Sequence, residues 1–251
     1  MTVTVTVLGC DGGYPGPGGA GSGYLVSADG ANLCLDLGPG ALARLQERID
    51  LAELDAVVIS HEHPDHSADL EGLAVALHFA DPQRRVPVFA PASVPQHRYF
   101  TEWDELDWRI VADGGSAEVA GFKLLFSRTD HGPETLAVRV DRGRAALGYS
   151  GDTGPLWSAR QLGADLDLLL CEATWTQAQE GRAQHLSGRQ AGRTARDAGA
   201  RRLVVTHRWP TIPEAPVVKE AAEAFGAPVE AARLGAALVV ASTDEHPAPT
   251  A

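Results

Sequence analysis

The stretch Ser60-His61-Glu62-His63-Pro64-Asp65-His66 decides the reading of this chain. It follows directly on the apolar run Val57-Val58-Ile59, where the carboxyl end of a buried strand meets a loop. Three of the nine histidines fall within six residues there, which argues against a polar loop that holds histidines by chance. Neutral imidazole and carboxylate are the ligands that borderline divalent ions select. His61 and His63, two apart on extended backbone, point the same way and so toward one ion, while Asp65 and His66 face a neighbouring one.

A metal pair needs more ligands, and the rest of the chain offers them singly, each after a strand-like segment. His131 follows Phe122 to Ser127 in Thr129-Asp130-His131-Gly132. Asp152 stands in Ser150-Gly151-Asp152-Thr153-Gly154, where flanking glycines let the backbone come close to a site. His207 ends Leu203-Val204-Val205-Thr206-His207. Taken alone, each is as readily a hydrogen-bonded loop residue. Beside the first cluster they read as the remaining ligands.

Around these points the periodicity predicts an α/β chain. Strands are expected at Thr2 to Leu8, Tyr24 to Ser27, Leu33 to Asp36 and Ala56 to Ile59, with helices at Ala41 to Ile49 and Ala68 to Phe79. Further strands are expected at Val86 to Ala90, Trp108 to Ala112, Phe122 to Ser127, Thr135 to Val140 and Ala145 to Tyr149, the last two joined at Asp141-Arg142-Gly143. Then come a helix near Leu156 to Leu162, a strand Leu166 to Cys171, a helix Gly188 to Ala198, a strand Arg202 to Thr206, a helix Ala215 to Phe225 and a strand Ala237 to Val240. A β-meander followed by βα units, twice over, implies two sheets packed face to face with helices outside. Residues 1–241 read as one domain and 242–251 as a disordered tail.

Thirty-three acidic residues against 21 basic ones give a formal charge of -12, which disfavours bulk nucleic-acid binding. Cys10, Cys34 and Cys171 are far apart and form no C-x-x-C pair, as expected of reduced thiols in a cytoplasmic protein. The opening residues lack a charged region followed by an apolar run, and no segment has membrane-spanning length, so neither a signal peptide nor a membrane span is expected.

The order H-x-H-x-D-H, a single His, G-D-T-G and a late T-H resembles the metallo-β-lactamase superfamily over nearly the whole chain. The resemblance implies an αββα four-layer sandwich of two mixed β-sheets. It also implies one ion held by His61, His63, His131 and Asp152 and another by Asp65, His66, Asp152 and His207, with Asp152 bridging. Zinc is the first expectation for both ions, with manganese and iron as alternatives. Within that superfamily, Cys171-Glu172-Ala173 and Gln184-His185-Leu186-Ser187-Gly188 are similar to the ribonuclease-Z-like branch of phosphodiesterases. That similarity implies a catalytic His185, suited to protonating a departing alkoxide, with Asp65 as the other candidate catalytic residue. The alternative for His185 is a helix-start residue ahead of the N-cap Ser187.

Only a strand pair separates His131 from Asp152, leaving no room for the substrate arm of the transfer-RNA-processing enzymes. Val7-Leu8-Gly9-Cys10, Ser22-Gly23-Tyr24-Leu25-Val26 and the His185 motif resemble a group of small bacterial proteins associated with cyclic-nucleotide phosphodiesterase activity. The chain departs from that group at Glu62-His63-Pro64 and Arg208-Trp209-Pro210. The implied reaction is attack on phosphorus by a hydroxide shared between two ions about 3.5 to 4 Å apart. A small-molecule substrate is expected, and the resemblance implies that a homodimer is common. A thioesterase or lactonase would use the same ligands, and a non-catalytic scaffold is the third alternative.

Other features carry less. The Gly9 to Gly23 stretch lacks the G-K-[ST] ending of a phosphate loop and reads as a loop on the site's rim. Asp69 either orients a ligand imidazole or sits in the first turn of its helix. Trp175 and Trp209 lie nearest the candidate catalytic segments, although most tryptophans are core residues. Arg189, Arg193 and Arg196 read as a solvated helix face. His78, His97 and His246 have no partners in sequence.

Overall fold

A computed structural model describes residues 2–99 and 103–240; the predicted tail therefore lies outside the described residues. The elements run β1 (Val3–Gly9), β2 (Gly23–Ala28), β3 (Ala31–Leu37), α1 (Ala41–Gln46), β4 (Ala56–Val58), α2 (Pro64–Ser67), α3 (Leu70–Ala80), β5 (Val86–Ala90) and β6 (Leu106–Ile110). The second half runs β7 (Ser116–Val119), β8 (Phe122–Arg128), β9 (Leu136–Arg142), β10 (Ala145–Tyr149), β11 (Leu168–Glu172), α4 (Gly188–Asp197), β12 (Leu203–Thr206), α5 (Glu214–Phe225), β13 (Glu230–Ala231) and β14 (Ala237–Val240).

Two seven-stranded sheets result, ordered β14-β1-β2-β3-β4-β5-β6 and β13-β12-β11-β10-β9-β8-β7. Period-two alternation assigns each side chain to a layer. Val3, Val5 and Val7 of β1 meet Phe122, Leu124 and Phe126 of β8 in the core between the sheets. In β3, Leu33 and Leu35 enter that core, while Cys34 turns outward under α1 and α3. In β11, Leu168 and Leu170 face inward, and Leu169 and Cys171 turn out under α4 and α5. This is the expected four-layer αββα sandwich with mixed sheets. Strand β14, last in sequence, returns to pair antiparallel with β1, register Val3↔Val240.

The direction of the strands positions the site. β3 and β4 pair in parallel, as do β10, β11 and β12, and β8 lies two antiparallel steps from β10, so it runs the same way. The carboxyl ends of β3 and β4 in one sheet and of β8, β10, β11 and β12 in the other are followed by the segments that carry the candidate site residues.

Two expectations need correction, and two short strands were not foreseen. The helix near Leu156 to Leu162 is only a 3-10 turn, Ala159–Leu162, because Ser158 caps it and Gly163, at φ 84, ends it; Leu156 is 87% exposed. The strand expected at Trp108 to Ala112 starts two residues earlier, fixed by the parallel pairing Val86↔Leu106. Short β7 and β13, four and two residues long, carry too little alternation to be read in sequence.

Helices α4 and α5 pack through glycines. A Cβ at Gly192 would lie 2.2 Å from the Ala221 carbonyl oxygen, and one at Gly188 2.1 Å from that of Val217. Gly192→Ala is therefore expected to destabilise the chain by about 1 to 3 kcal/mol, despite alanine's higher helix propensity. A urea melt checks this; an unchanged or raised midpoint would show that the helices part at no cost.

Candidate metal centre

The seven candidate ligands arrive from both sheets. His61, His63, Asp65 and His66 lie in the loop and α2 turn after β4; His131 follows β8, Asp152 follows β10 and His207 follows β12. Pro64 starts the α2 turn, which carries Asp65 and His66 into the interior. His207 holds a left-handed backbone, φ 57, uncommon outside glycine and asparagine and concentrated at functional sites.

The side chains form two groups that share Asp152, each with its ligand atoms within 4.8 Å of one another. In the first, His61 Nε2 lies 3.0 Å from His63 Nδ1 and 3.6 Å from Asp152 Oδ2, and His131 Nε2 lies 3.3 Å from His63 Nδ1. In the second, His66 Nε2 and His207 Nε2 approach Asp152 Oδ1 at 3.1 and 3.2 Å, and His207 Nε2 lies 3.1 Å from Asp65 Oδ2. One oxygen of Asp152 thus faces each group.

Four of the imidazoles are turned by partners on their far sides. His66 Nδ1 donates to Asp36 Oδ2 at 2.6 Å and His131 Nδ1 to the Gln184 carbonyl at 3.0 Å. His61 Nδ1 meets Ser60 Oγ, and His207 Nδ1 meets Thr174 Oγ1, both at 3.0 Å. Ser60 in turn donates to Asp36, and Thr174 to Glu172. Each ring is left with the other nitrogen aimed inward, the arrangement that orients metal-ligating histidines.

The donor set fits divalent cations. His66 Nε2 and Asp152 Oδ1 are fully buried and, although 3.1 Å apart, make no hydrogen bond to each other or to any other described residue. His131, having given its proton to a carbonyl, turns a lone pair toward His63 Nδ1. Unpartnered buried polar atoms are costly, and a cation between them removes the cost. Burial and the neighbouring imidazoles hold His61 well below its ordinary value, which keeps it neutral, the form a metal ion takes. Burial would raise both Asp152 and Asp65, but the histidines around them win and hold both carboxylates low and anionic. Burial opposes a proton on His66, yet the flanking Asp152 and Asp36 carboxylates raise it.

His185 lies in the segment before α4, Nδ1 3.0 Å from Glu172 Oε1 and its ring stacked on His207 at 5.4 Å. Burial lowers its affinity for a proton, but Glu172 overrides this and the value is pushed up to about 9. Ser187 caps α4 in a capping box with Gln190, which is compatible with either reading of His185.

Sequence reasoning missed Asp36 and gave Glu172 no role. Asp36 is fully buried, with a left-handed φ of 56, and its signal was a lone carboxylate between Leu35 and Leu37. Asp69, considered as an orienting residue, instead accepts from the Leu42 N–H at 2.9 Å and caps α1. The Gly9 to Gly23 loop does lie on the rim: the Gly13 N–H donates to Asp65 Oδ2 at 2.6 Å. Trp175 lies 6.3 Å from the His185 ring and 4.7 Å from that of Trp209. Arg189 and Arg196 are paired with Glu180 and Asp197. His78 pairs with Glu105, and His246 lies outside the described residues.

A family described as a β-lactamase superfamily domain matches residues 31–208, from β3 to one residue past His207. The chain belongs to the β-lactamase superfamily. It is 35% identical over 246 residues to protein ML1173 of Mycobacterium leprae, covering 92% of this chain and 86% of that one. It is 31% identical over 209 residues to the probable metallo-hydrolase YhfI of Bacillus subtilis, covering 81% and 86%, and the YhfI crystal structure superposes with a TM-score of 0.88 over 95% of this chain and 100% of the other. Ribonuclease Z of Mycobacterium bovis is 28% identical over 242 residues, covering 83% and 86%. The superfamily membership and the two His/Asp groups make this chain a metallo-hydrolase. Among the described residues no helix is long and apolar enough to cross a membrane.

Asp36→Asn is expected to lower divalent-metal affinity by about 10- to 100-fold, measured by competition with a chromophoric chelator. Unchanged affinity would remove Asp36 from the site's support. In the chelated protein, Asp65 and Asp152 hold values below the ordinary 3.8. Their contribution to stability is therefore present above that value and lost as pH falls through the lower folded values. Thermal melts at descending pH, with and without metal, check this; the metal-loaded protein is expected to melt higher at neutral pH.

Proposed function

We propose that this metallo-hydrolase is a phosphodiesterase acting on a small phosphoester such as a cyclic nucleotide, with two divalent ions, zinc first among the alternatives, in the two ligand groups. The observation that carries the reading is His185, 12% exposed at the edge of the cluster with Glu172 behind it. Glu172 holds Nδ1, and among the described residues no hydrogen bond engages Nε2. An alkoxide leaving group needs a proton far more than a thiolate does, and a histidine beside a buried carboxylate is built to deliver one.

Bound divalent ions would supply Lewis acidity toward a phosphoryl oxygen and would lower the pKa of water. The chain's own part is positional. Asp152 spans both groups; Asp36, Ser60, Gln184 and Thr174 keep four rings turned inward. Glu172 also accepts from the Thr153 N–H at 2.7 Å and the Leu186 N–H at 3.2 Å, so one carboxylate positions the Asp152 loop and the His185 segment together. The likeness to ribonuclease Z supports phosphodiester chemistry. The charge of -12 and the plain β9-β10 hairpin between His131 and Asp152 support a small substrate. Free Cys10, Cys34 and Cys171 support a reducing, cytoplasmic setting.

His185→Ala is expected to cut kcat by about 10²- to 10⁴-fold on diesters with an alkoxide leaving group, and far less on p-nitrophenyl esters, whose leaving group needs no proton. Equal losses on both would sink the proton-donor role. Turnover of a thioester or lactone alone, unaffected by His185→Ala, would overturn the phosphodiesterase reading.

A second check concerns pH. His185 is raised from an ordinary 6.5 to about 9, so its stabilising pair with Glu172 is complete below 6.5 and lost as pH rises through about 9. An NMR titration of the chelated protein is expected to show this, and Glu172→Gln to bring the midpoint down.

A further inference from the structure

The ligand cluster is closed on most sides. His61, His66, Asp152 and His207 are at most 2% exposed, and the Gly13 N–H covers Asp65. Of the seven candidate ligands His63 is the one not buried, so its ring is one part of the cluster open to solvent, in addition to the edge at His185. His63 also lines an open groove of about 500 Å³, together with Pro64, Ala68, Leu70, Val94 and His97. That volume lies within the range of small-molecule sites, about 300 to 1,000 Å³.

Two carboxylates line the groove. Glu71 is clasped by Arg98, Nε and Nη2 at 2.7 and 3.3 Å, and also accepts from the Tyr99 N–H at 2.9 Å. Glu62, next to His63, has no such clasp. His97 Nδ1 lies 3.3 Å from Glu62 Oε2 but donates to the Ser93 carbonyl at 3.0 Å; among the described residues the buried Oε2 has no hydrogen-bond partner, while the Glu62 side chain as a whole is 20% exposed and lines the groove. Among the described residues, then, the groove beside the cluster carries a carboxylate that no arginine or lysine pairs with.

We propose that this groove receives the non-reacting arm of the substrate and that Glu62 selects its charge: an uncharged arm rich in N–H and O–H donors, as a nucleoside is, enters, and a second phosphate is rejected. The proposal rests on the phosphodiesterase reading and narrows it. A carboxylate accepts hydrogen bonds from amino and hydroxyl groups and repels a phosphate brought within a few ångströms. A polynucleotide laid across His63 would place a phosphate in the groove, whereas a cyclic nucleotide or nucleoside ester would not.

The test uses full-length, metal-replete protein and two esters: p-nitrophenyl thymidine 5′-phosphate and the same ester phosphorylated at the 3′-oxygen. The wild type is expected to prefer the first by on the order of 10-fold in kcat/KM, mostly through KM. Glu62→Gln, which keeps the shape and removes the charge, is expected to collapse that ratio toward one. Calorimetric titration with thymidine 5′-monophosphate and thymidine 3′,5′-bisphosphate is expected to show the same preference in Kd without turnover. Should Glu62→Gln fail to fold, Ala68→Trp fills the groove and is expected to raise KM more for the thymidine ester than for methyl p-nitrophenyl phosphate. An equal ratio in wild type and Glu62→Gln, an insensitive Ala68→Trp, or failure of both nucleotides to bind overturns the proposal. Nucleotide binding with the stated preference, but no ester cleavage, upholds the groove and overturns the phosphodiesterase reading instead.

Discussion

The carboxylate of Asp36 ties the molecule together. It sits fully buried at the end of β3 and accepts four donors: the Ser60 N–H at 2.6 Å, Ser60 Oγ at 2.8 Å, the Tyr149 hydroxyl at 2.5 Å and His66 Nδ1 at 2.6 Å. Two come from Ser60, at the start of the loop that carries four candidate ligands, one from β10 in the opposite sheet, and one from the candidate ligand His66. A buried carboxylate is tolerated only when hydrogen-bonded this fully, and the same bonds that satisfy it set the distance between the two strand ends that supply His61 and Asp152.

The cluster has the same logic at larger scale. Two carboxylates and four imidazoles are withdrawn from water in one place, which a core of this kind cannot do without compensation. Part of the compensation is internal, since the histidines hold Asp65 and Asp152 anionic. The rest is missing from the described protein atoms, as His66 Nε2 and Asp152 Oδ1 record, 3.1 Å apart without a hydrogen bond. Glu172 repeats the role of Asp36 on the other side, anchoring Thr174 behind His207 and His185 beside it. Each buried carboxylate thus supports a ligand histidine from behind and joins two loops that are far apart in sequence.

Much of this was legible in the chain. The residues that the structure gathers into two His/Asp groups were readable because imidazole and carboxylate at strand ends have few other uses in such density, and the strands announced themselves by alternation, as in Val3-Thr4-Val5-Thr6-Val7. Supporting residues were not. Asp36 and Thr174 are single polar residues whose meaning depends on which ring lies behind them, and Asp69 stands close to the cluster in sequence yet spends its carboxylate on the α1 amides. The 3-10 turn at Ala159–Leu162 and the two-residue β13 lie below the length at which periodicity can speak.

By itself, then, the sequence determined the candidate ligand set, the α/β alternation and the superfamily, because these depend on residue type and local spacing. Only the tertiary structure decided that β14 returns to β1, that Asp152 offers one oxygen to each His/Asp group, which nitrogen of each ring faces inward, and that His63 and Glu62 line one groove. Those features are set by hydrogen bonds and packing between segments as much as 237 residues apart, as in the Val3↔Val240 pair, and no local pattern encodes them.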